Sequence, residues 1–559
     1  MNNDPITPTE PQSTEPQSPS AEERPLGVTQ PAPPAQPQPS VIEPAQVPKS
    51  RNKKKMLLLG LTAVVMIAGA VAAYFLVIKK DNQPVAQQVT KKDVPLLKVG
   101  FGESTVPQYP VSMGGFGEDE NVIMQLFEGL VQFQNTTDIK PLLATSWSNP
   151  DNSTWIFNLK QGVKFHGGRE MTSADVKSTL DYAIAHQSDS KVSFLASAST
   201  IKSVEAVSRY QVKITTTDPD PLLLARLADL PIFDSQAKLG DYNAGTGPYV
   251  VKPGTTPTDD SIDLVAFKEY WGGHIYTREV KIKFLSGEAA VLSSITNNDF
   301  DINGSFVKSE LDHYKVPYME LKVPDLGLNF AMLNVNRAGS PLQSLAARQA
   351  MEYALNKPQL IKDNGVEGTP ANQLVPLALP GHDPDIKDVP FDLDKAKSLL
   401  ASVKNGSEPL TMLTTSTTNS GTNLAAQLNA AGFNVKVSTA TDFNAFVKDG
   451  FGGKYDIVYL GYTTNFVDGL DILDTLLTGT KNYDNPQVDS LLDQTAKTFD
   501  AQERIKLMQQ IAAIEDKDKP VIPIYTQIRP FAITKANIVA KADMPDFSNS
   551  IYYWKVYQK

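Results

Sequence analysis

The longest uninterrupted apolar run of the chain covers residues 56–78, MLLLGLTAVVMIAGAVAAYFLVI, and none of its 23 residues is charged. A helix of that length spans roughly 34 Å at about 1.5 Å per residue, enough to cross a hydrocarbon core of about 30 Å. Five basic residues lie between positions 49 and 55, whereas only Lys79 and Lys80 directly follow the run. This asymmetry predicts a single-pass signal anchor in the cytoplasmic membrane, with the N-terminus inside and the rest outside.

Residues 56–78 also allow two other interpretations, a cleaved signal peptide and a buried core helix. A cleaved secretory signal has an apolar region of about 7–15 residues, which is shorter than this run. A buried core helix would carry a polar face, and none is visible over these positions. The pattern therefore favours an uncleaved anchor.

Polar segments lie on both sides of the anchor. Residues 1–48 hold 13 prolines among Gln, Ser, Thr and Glu, a composition that cannot bury enough apolar surface to become ordered. We therefore expect residues 1–55 to form a disordered, Pro-rich cytoplasmic tail. Residues 79–93 are expected to be a short polar linker that keeps the remaining chain near the bilayer.

Beyond the linker the hydrophobic pattern alternates between strands and helices. Residues 95–101 are typical of a buried strand, and residues 121–130 are typical of a helix. Residues 410–461 alternate strand, helix, strand, helix and strand, which predicts a parallel sheet with helices on its faces. Helix starts carry capping signals at Thr172 with Asp175, Ser340 with Pro341, Asp392, and Asp500 with Glu503.

Length and composition narrow the class of protein. With 559 residues the chain is too long for one core, so two or more folded lobes are expected. The absence of cysteine excludes disulfides, thiolate catalysis and a lipid attached through a lipobox cysteine. Residues 1–55 hold six acids and six bases, so the net charge of −10 belongs to the chain after them. Such a surface disfavours nucleic acid as a partner.

Short motifs follow one another in a characteristic order over residues 94–535. They include EGL (128–130), PLLATSW (141–147), FHGGREMTSADV (165–176), GTGPYVV (245–251), EYWGG (269–273), NNDFDI (297–302), LGLNFAMLNVN (326–336) and DAQERIKLMQQIAAIEDKDKPVIPIY (500–525). This order resembles family 5 of the extracellular solute-binding proteins, the peptide- and nickel-binding receptors of ABC importers. Tail, anchor and linker lie outside the resemblance.

The resemblance implies an α/β, two-lobed periplasmic-binding-protein fold, type II of the large peptide-binding class, behind the transmembrane helix and the disordered tail. Lobe 1 would combine residues 94–325 and 525–559. Lobe 2 would be residues 326–524. Hinges are expected where the chain crosses between the lobes, near residues 322–328 and 522–527.

The implied function is that of a membrane-anchored, extracytoplasmic substrate-binding protein of an ABC importer. It would capture a peptide or peptide-like solute between the lobes and deliver it to the transmembrane subunits of the permease. Its other partner is the lipid bilayer, through residues 56–78, and neither cofactor nor enzyme activity is expected. The long tail leaves a second interpretation open, a ligand sensor that signals through the cytoplasmic tail.

The candidate site is the stretch GYTTNFVDGLDIL, which begins at Gly461. Peptide-binding members of the family resemble G-W-x-x-D-Y-x-D-P here, and their first Asp accepts the α-ammonium of the ligand. In this chain Asn465 stands at that position, Phe466 replaces the Tyr, Asp468 matches the second Asp and Gly469 replaces the Pro. A neutral amide lacks the ion pair that strengthens ammonium binding, so free-amine peptides are disfavoured unless Asp468 supplies the charge.

The predicted ligand contacts share positions at the carboxyl ends of strands, where ligands bind in open α/β sheets. They are Tyr462, Thr463, Asn465, Phe466 and Asp468 in this stretch, and Phe101, Glu103 and Ser104 after the first strand. Structural alternatives stay open for several of them: Asn465 as a turn residue, Tyr462 and Phe466 as core, and Asp468 or Asp471 as a helix cap.

The sequence carries no catalytic or metal-binding signature. Its five histidines lack i, i+4 pairing and an HExxH motif, and neither GxSxG, a P-loop nor GxGxxG after a strand is present. His166 falls within a motif that carries the family resemblance, and the resemblance implies a structural role for it. Arg348 lies beside an apolar helical stripe and is predicted to be a structural hydrogen-bonding group rather than a ligand clamp. A membrane-anchored hydrolase is supported only by the extracellular position.

Overall fold

The computed structural model of the protein describes residues 91–559 except 103, 112–118, 137, 189–192, 305–310, 312, 314, 316, 416–418, 465–466 and 541–550. The predicted tail, the anchor at 56–78 and residues 79–90 of the linker lie outside the described residues. Within the described part of the chain, no helix combines the length and apolar character that a membrane crossing requires.

The described residues form α-helices at the following ranges. They are α1 (Glu120–Leu126), α2 (Ser173–His186), α3 (Leu223–Ala228), α4 (Glu288–Thr296), α5 (Leu345–Ala354), α6 (Lys357–Asp363), α7 (Leu393–Ala401), α8 (Ser420–Ala430), α9 (Phe443–Phe451), α10 (Gly469–Leu477), α11 (Pro486–Lys497) and α12 (Ala501–Asp518). Short 3₁₀ helices cover Ser193–Ala198, Pro341–Gln343 and Tyr553–Lys555.

The strands belong to one large sheet and several small ones. They are β1 (Leu97–Phe101), β2 (Glu128–Gly129), β3 (Val131–Phe133), β4 (Ile139–Pro141), β5 (Ala144–Ser148), β6 (Thr154–Leu159), β7 (Ile201–Ser208), β8 (Gln211–Thr216), β9 (Pro231–Ile232), β10 (Tyr249–Val251), β11 (Ser261–Ala266), β12 (Glu279–Phe284), β13 (Ile302–Asn303), β14 (Met319–Leu333), β15 (Gly368–Pro370), β16 (Pro409–Thr414), β17 (Asn434–Thr439), β18 (Ile457–Thr463), β19 (Val521–Ile533), β20 (Ile538–Val539) and β21 (Tyr557–Gln558).

Predicted helix starts agree with the structure where the signal is local. Thr172 and Asp175 form a capping box at α2. The carboxylates of Asp392 and Asp500 accept the third N–H of α7 and α12, from Lys395 at 2.9 Å and Glu503 at 2.8 Å. Two predictions were wrong in part. Ser340 caps a 3₁₀ turn rather than an α-helix, and the helix predicted over 121–130 ends at Leu126 because the next residue is extended.

The large sheet has the strand order β10-β11-β12-β1-β13-β19-β14-β18-β16-β17, with β15 added beside β19. At one end, β12, β1 and β13 run parallel. At the other end, β17, β16 and β18 run parallel and alternate in sequence with α8 and α9. The βαβαβ prediction for residues 410–461 is confirmed.

Two long antiparallel strands, β14 and β19, join the two ends of this sheet. Residues 319–324 lie opposite 528–533, and residues 328–332 lie opposite 521–526. Between the two blocks the register shifts, at Pro324 to Leu328. We call β14 and β19 together the ribbon. The hinges expected near 322–328 and 522–527 fall on this shift, and their motion stays a prediction.

Buried apolar side chains form separate clusters on the two sides of the ribbon. One cluster, which we call the N-terminal core, runs from Val94 to Ile302 and is completed by residues near the end of the chain, including Phe531 and Ile551. Two others, the C-terminal cores, are built almost wholly from residues 326–525.

The last described residues hold the N-terminal core together. The amide of Gln125 in α1 donates to the carbonyl of Ile551 at 2.9 Å, and the backbone N–H of Ile551 donates to the side chain of Asn121 at 3.0 Å. The hydroxyl of Thr277 donates to the carbonyl of Val556 at 2.9 Å. The first strands and the final residues therefore belong to one packing unit.

Glu128 is a buried carboxylate that ties three of the sequence motifs together. It is 6% exposed and accepts hydrogen bonds from the hydroxyl of Thr246 (2.8 Å), the indole N–H of Trp271 (2.8 Å) and the hydroxyl of Tyr270 (2.9 Å). Glu128 belongs to the EGL motif, Thr246 to GTGPYVV, and both Tyr270 and Trp271 to EYWGG. Glu128 therefore joins three motifs that lie far apart in the sequence.

Replacing Glu128 with glutamine is expected to remove a pH dependence of stability. Burial raises the pKa of Glu128 to about 7, against 4.5 for an ordinary glutamate, and the three donors only partly oppose burial. Protonated Glu128 therefore stabilises the fold fully below about pH 4.5, and this contribution is lost as the pH rises through about 7. At about 1.4 kcal/mol per pKa unit, the free energy of unfolding of Glu128→Gln should gain roughly 3 kcal/mol on wild type between about pH 4.5 and pH 8. Urea denaturation at both pH values measures this difference.

Glu170 offers a matched control of opposite sign. Hydrogen bonds from Arg209, Gly162 and Tyr210 lower the pKa of Glu170 to about 2. Its ionised form stabilises the fold above the unfolded pKa, so Glu170→Gln should lose stability relative to wild type as the pH rises. A constant difference between Glu128→Gln and wild type at both pH values would contradict the role given to Glu128.

Candidate functional site

Parallel strands from both ends of the large sheet terminate toward the register shift in the ribbon. Strand β1 is parallel to β13, which is antiparallel to β19, so β1 runs in the same direction as β14 and approaches the shift from one side. Strand β18 is antiparallel to β14, and its last residue, Thr463, lies opposite Gly327 at the shift. The two predicted groups of ligand contacts therefore face the same crossing from opposite sides.

Tyr462 and Thr463 lie at the end of β18 and are half-buried. The Tyr462 hydroxyl donates to the carboxylate of Asp471 at 2.8 Å and contacts the hydroxyl of Thr475 at 3.2 Å, both in α10. Burial raises the pKa of Tyr462, so the phenol stays neutral. This fixes the ring against α10, and the strand end is held in one position.

Thr464 is a candidate that the sequence interpretation missed. It is 3% exposed, and its hydroxyl has no hydrogen-bond partner among the described residues. A buried hydroxyl without a partner costs free energy, so such a group at a strand end suits a contact with solute. Threonine carries no motif signal, and only the structure distinguishes it from Thr463. Asn465 and Phe466, which follow, lie outside the described residues.

Asp468 has internal partners. It is 1% exposed, caps α10 by accepting the N–H of Leu470 at 2.9 Å, and pairs with Arg504 of α12 at 3.1 Å. Burial raises the pKa of Asp468, against the attraction of Arg504. The capping alternative is confirmed for Asp468. Because Arg504 already neutralises the Asp468 carboxylate, Asp468 does not supply a free negative charge for an ammonium group of a ligand.

The predicted ligand contacts after the first strand differ in how far they are buried. The Phe101 ring is fully buried, with its centroid 5.7 Å from that of Phe284 and 6.3 Å from that of Phe531. Ser104 is half-buried, and Glu103 lies outside the described residues. Phe101 therefore packs in the core of β1, while ligand contact by this wall stays a prediction.

A cavity of about 990 Å³ opens beside α10 and α11. Its walls on the C-terminal side carry five aspartates, and Ser199 and Arg226 come from the N-terminal half of the chain. Arg226 is also 3.5 Å from Asp220. The aspartates are Asp471, Asp474, Asp484, Asp489 and Asp493.

His166 and Arg348 are structural, as predicted. His166 is half-buried, its Nε2 lies 3.0 Å from the carbonyl oxygen of Gly247, and desolvation of the ring lowers its pKa to about 4, so the ring stays neutral. Arg348 donates to the carbonyls of Asp518 at 2.8 Å and Leu342 at 2.7 Å. Among the residues that the structure places, no group of His, Asp and Glu could hold a metal ion.

The chain is similar in sequence to known proteins. The model of the bacterial extracellular solute-binding proteins, family 5 (middle), matches residues 138–484. Heme-binding protein A of Haemophilus influenzae is 27% identical over 453 residues, which are 72% of this chain and 81% of that protein. The dipeptide-binding protein of Escherichia coli is 27% identical over 387 residues, 63% of this chain and 67% of that protein.

Among solved structures, the periplasmic binding protein DppA from Helicobacter pylori in complex with the peptide STSA matches with a TM-score of 0.66 at 22% identity. The match covers 84% of this chain and 98% of that chain. At this identity the likeness shows the fold alone, that of a two-lobed binding protein of mixed α/β structure.

Proposed function

The chain belongs to family 5 of the bacterial extracellular solute-binding proteins, and on that premise we propose that it is the substrate-binding protein of an ABC importer. It encloses a peptide or peptide-like solute between two lobes and presents it to the permease. Lobe 1 comprises residues 94–325 and 525–559, and lobe 2 comprises residues 326–524. No covalent chemistry is required.

The observation that carries the proposal is the convergence of strand ends on the ribbon. Strand β1 of lobe 1 and strand β18 of lobe 2 end on opposite sides of the register shift. A solute between these ends would contact both lobes at once. Contacts of this kind favour the closed arrangement, because only the closed arrangement makes both sets.

Anchoring at the outer face of the cytoplasmic membrane is proposed from residues 56–78. The run of uncharged residues and the excess of basic residues before it support this orientation. The linker at 79–93 then keeps the binding domain close to the permease, which raises its local concentration without a new contact.

The class of solute follows from the polar groups at the strand ends. Asn465 offers a neutral amide where peptide-binding relatives of the family are expected to carry a carboxylate, and the charge of Asp468 is matched by Arg504. Thr464 adds a buried hydroxyl. These groups suit the amide bonds of a peptide backbone more than a free ammonium group.

Mass spectrometry of small molecules released from the purified full-length protein tests this function. We expect a retained solute, and added back at about 100 times its Kd it should raise the free energy of unfolding by about 2.7 kcal/mol. A panel of peptides, sugars and metal chelates that neither raises the melting temperature nor changes the distance between the lobes would rule the function out.

Replacing Asn465 with aspartate is expected to tighten binding of peptides with a free amino terminus. A carboxylate adds an ion pair to the hydrogen bond with the ammonium group, worth about tenfold in Kd. Isothermal titration calorimetry with a free and an N-acetylated form of one peptide measures the change. The acetylated peptide is the control, and equal affinities of Asn465→Asp and wild type for the free peptide would place residue 465 away from the amino terminus of the solute.

A further inference from the structure

Three apolar side chains from the N-terminal half of the chain pack in one of the C-terminal cores. Phe133 at the end of β3 and Leu222 and Ala225 near α3 are 9%, 5% and 5% exposed. They belong to a buried cluster whose other members all lie between Leu326 and Val521. Their neighbours in the chain, including Val131 and Leu223, pack in the N-terminal core instead. The two lobes therefore touch through these three side chains.

A side chain from the C-terminal half of the chain also packs against the N-terminal core. Phe499, between α11 and α12, packs against the N-terminal core. Its ring stacks on that of Trp155 in β6, with centroids 6.2 Å apart and planes 30° apart. Trp155 is 5% exposed and also stacks on Phe157 at 6.4 Å, so its ring is fixed from the side of lobe 1.

This contact lies outside the ribbon that connects the lobes. The chain crosses between them in β14 and β19, whereas the contact is made by β3, β6, α3 and the residue between α11 and α12. Ile139 and Ala228 pack against both cores at once. A rotation about the register shift that opens the lobes would separate these apolar surfaces and expose them to water, which is unfavourable in proportion to the area exposed.

Charges beside the apolar contact act in the same direction. Arg226 of lobe 1 lines the cavity of about 990 Å³ together with the five aspartates and Lys481 of lobe 2. The attraction between the Arg226 guanidinium and these aspartates, which Lys481 partly offsets, adds to the contact between the lobes. The attraction acts through a polar, solvent-accessible space and is therefore weakened by salt.

We propose that Phe133, Trp155, Leu222, Ala225 and Phe499 form a latch that holds the lobes closed in the absence of solute. The proposal rests on the closure of two lobes described above but requires no bound ligand. The latch sets the resting ratio of closed to open protein, and the solute then acts on an ensemble that is already biased toward closure.

Paired spin labels on the full-length protein test the latch directly. The chain contains no cysteine, so cysteines introduced at exposed Lys202 of β7 and Gln494 of α11 are the only labelling sites. Solute is first removed by unfolding and refolding, and double electron–electron resonance then gives the distribution of distances between the labels. The labelled protein with no further substitution should show mainly the short distance between the labels, which corresponds to closed lobes. Phe499→Ala and, separately, Leu222→Ala should each shift the ratio about tenfold toward the long distance, equivalent to about 1.4 kcal/mol.

Phe391→Ala is the matched control, because Phe391 lies in lobe 2, is 48% exposed and is not among the latch residues. It should leave the distance distribution unchanged, while raised salt should shift it modestly toward the long distance. The latch is overturned if the unsubstituted, solute-free protein is mainly open, or if both latch variants unfold cooperatively and keep the short distance. Either result leaves the solute-binding function intact, because that function is tested by the retained solute.

Discussion

The variant Gly245→Ala is expected to yield no folded protein. An ideal Cβ on residue 245 would lie 1.9 Å from the carbonyl oxygen of Leu126 and 2.8 Å from its carbonyl carbon. Both atoms are backbone atoms at the end of α1, and they cannot rotate away as a side chain can. The same oxygen accepts the N–H of Gly247 at 2.9 Å, so relief of the clash would break that hydrogen bond as well. We expect a loss of more than about 4 kcal/mol in the free energy of unfolding, beyond the usual range for point substitutions.

Gly167 provides the control for this prediction. An ideal Cβ there meets no heavy atom within 4 Å. Gly167→Ala should therefore stay within about 0.5 kcal/mol of wild type. Soluble yield, circular dichroism and urea midpoints compare the two variants. A Gly245→Ala protein that unfolds at the wild-type midpoint would mean that α1 and the GTGPYVV motif are not in rigid contact.

Asp468→Ala is expected to cost about 3–5 kcal/mol, because it leaves the Arg504 guanidinium buried without its partner. The Arg504 side chain is 12% exposed and that of Asp468 is 2% exposed, so solvent cannot replace the lost carboxylate. The substitution also removes the cap of α10, whose first turn follows the candidate solute loop. We therefore expect solute binding to weaken together with stability. Chemical denaturation and calorimetric titration measure the two effects.

A substitution at Asp500 distinguishes the contribution of a helix cap from that of the buried ion pair. It caps α12 by accepting the N–H of Glu503 at 2.8 Å, and it is exposed. Asp500→Ala should therefore cost only about 1 kcal/mol. The double variant Asp468→Ala, Arg504→Leu should recover a large part of the loss, since it buries no unpaired charge. Equal costs for Asp468→Ala and Asp500→Ala would mean that the buried pair contributes nothing beyond the cap.

Features encoded over a few neighbouring residues could be predicted from the sequence. The caps at Thr172, Asp392 and Asp500 and the alternation over 410–461 depend on spacings of three to ten residues, and the structure confirms them. The helix expected over 121–130 shows the limit of such patterns. Its apolar period continues to Leu130, but Glu128 is drawn into contact with Thr246, Tyr270 and Trp271, and these tertiary contacts override the local pattern.

The strand ends on which the proposed site is built could be predicted from the sequence, but the contacts of the side chains there could not. Strand ends are visible in the sequence, and the resemblance placed the loop that begins at Gly461. The pairing of Asp468 with Arg504 joins residues 36 positions apart, and no spacing rule reveals it. Likewise, Thr463 and Thr464 cannot be told apart in the sequence. Only the structure shows that the hydroxyl of Thr464 is buried and has no hydrogen-bond partner among the described residues.

The dependence of the N-terminal core on Ile551 and Val556 has a consequence for synthesis. About 450 residues separate Phe101 from Ile551, and at about 5–20 residues per second a ribosome needs roughly 20–90 s to make them. During that interval α1 lacks the hydrogen bonds that join Gln125 and Asn121 to Ile551, so the N-terminal core stays incomplete. The N-terminal core of the nascent chain is therefore completed only when synthesis nears its end, and fragments that lack the last residues should be exposed to proteases and aggregation.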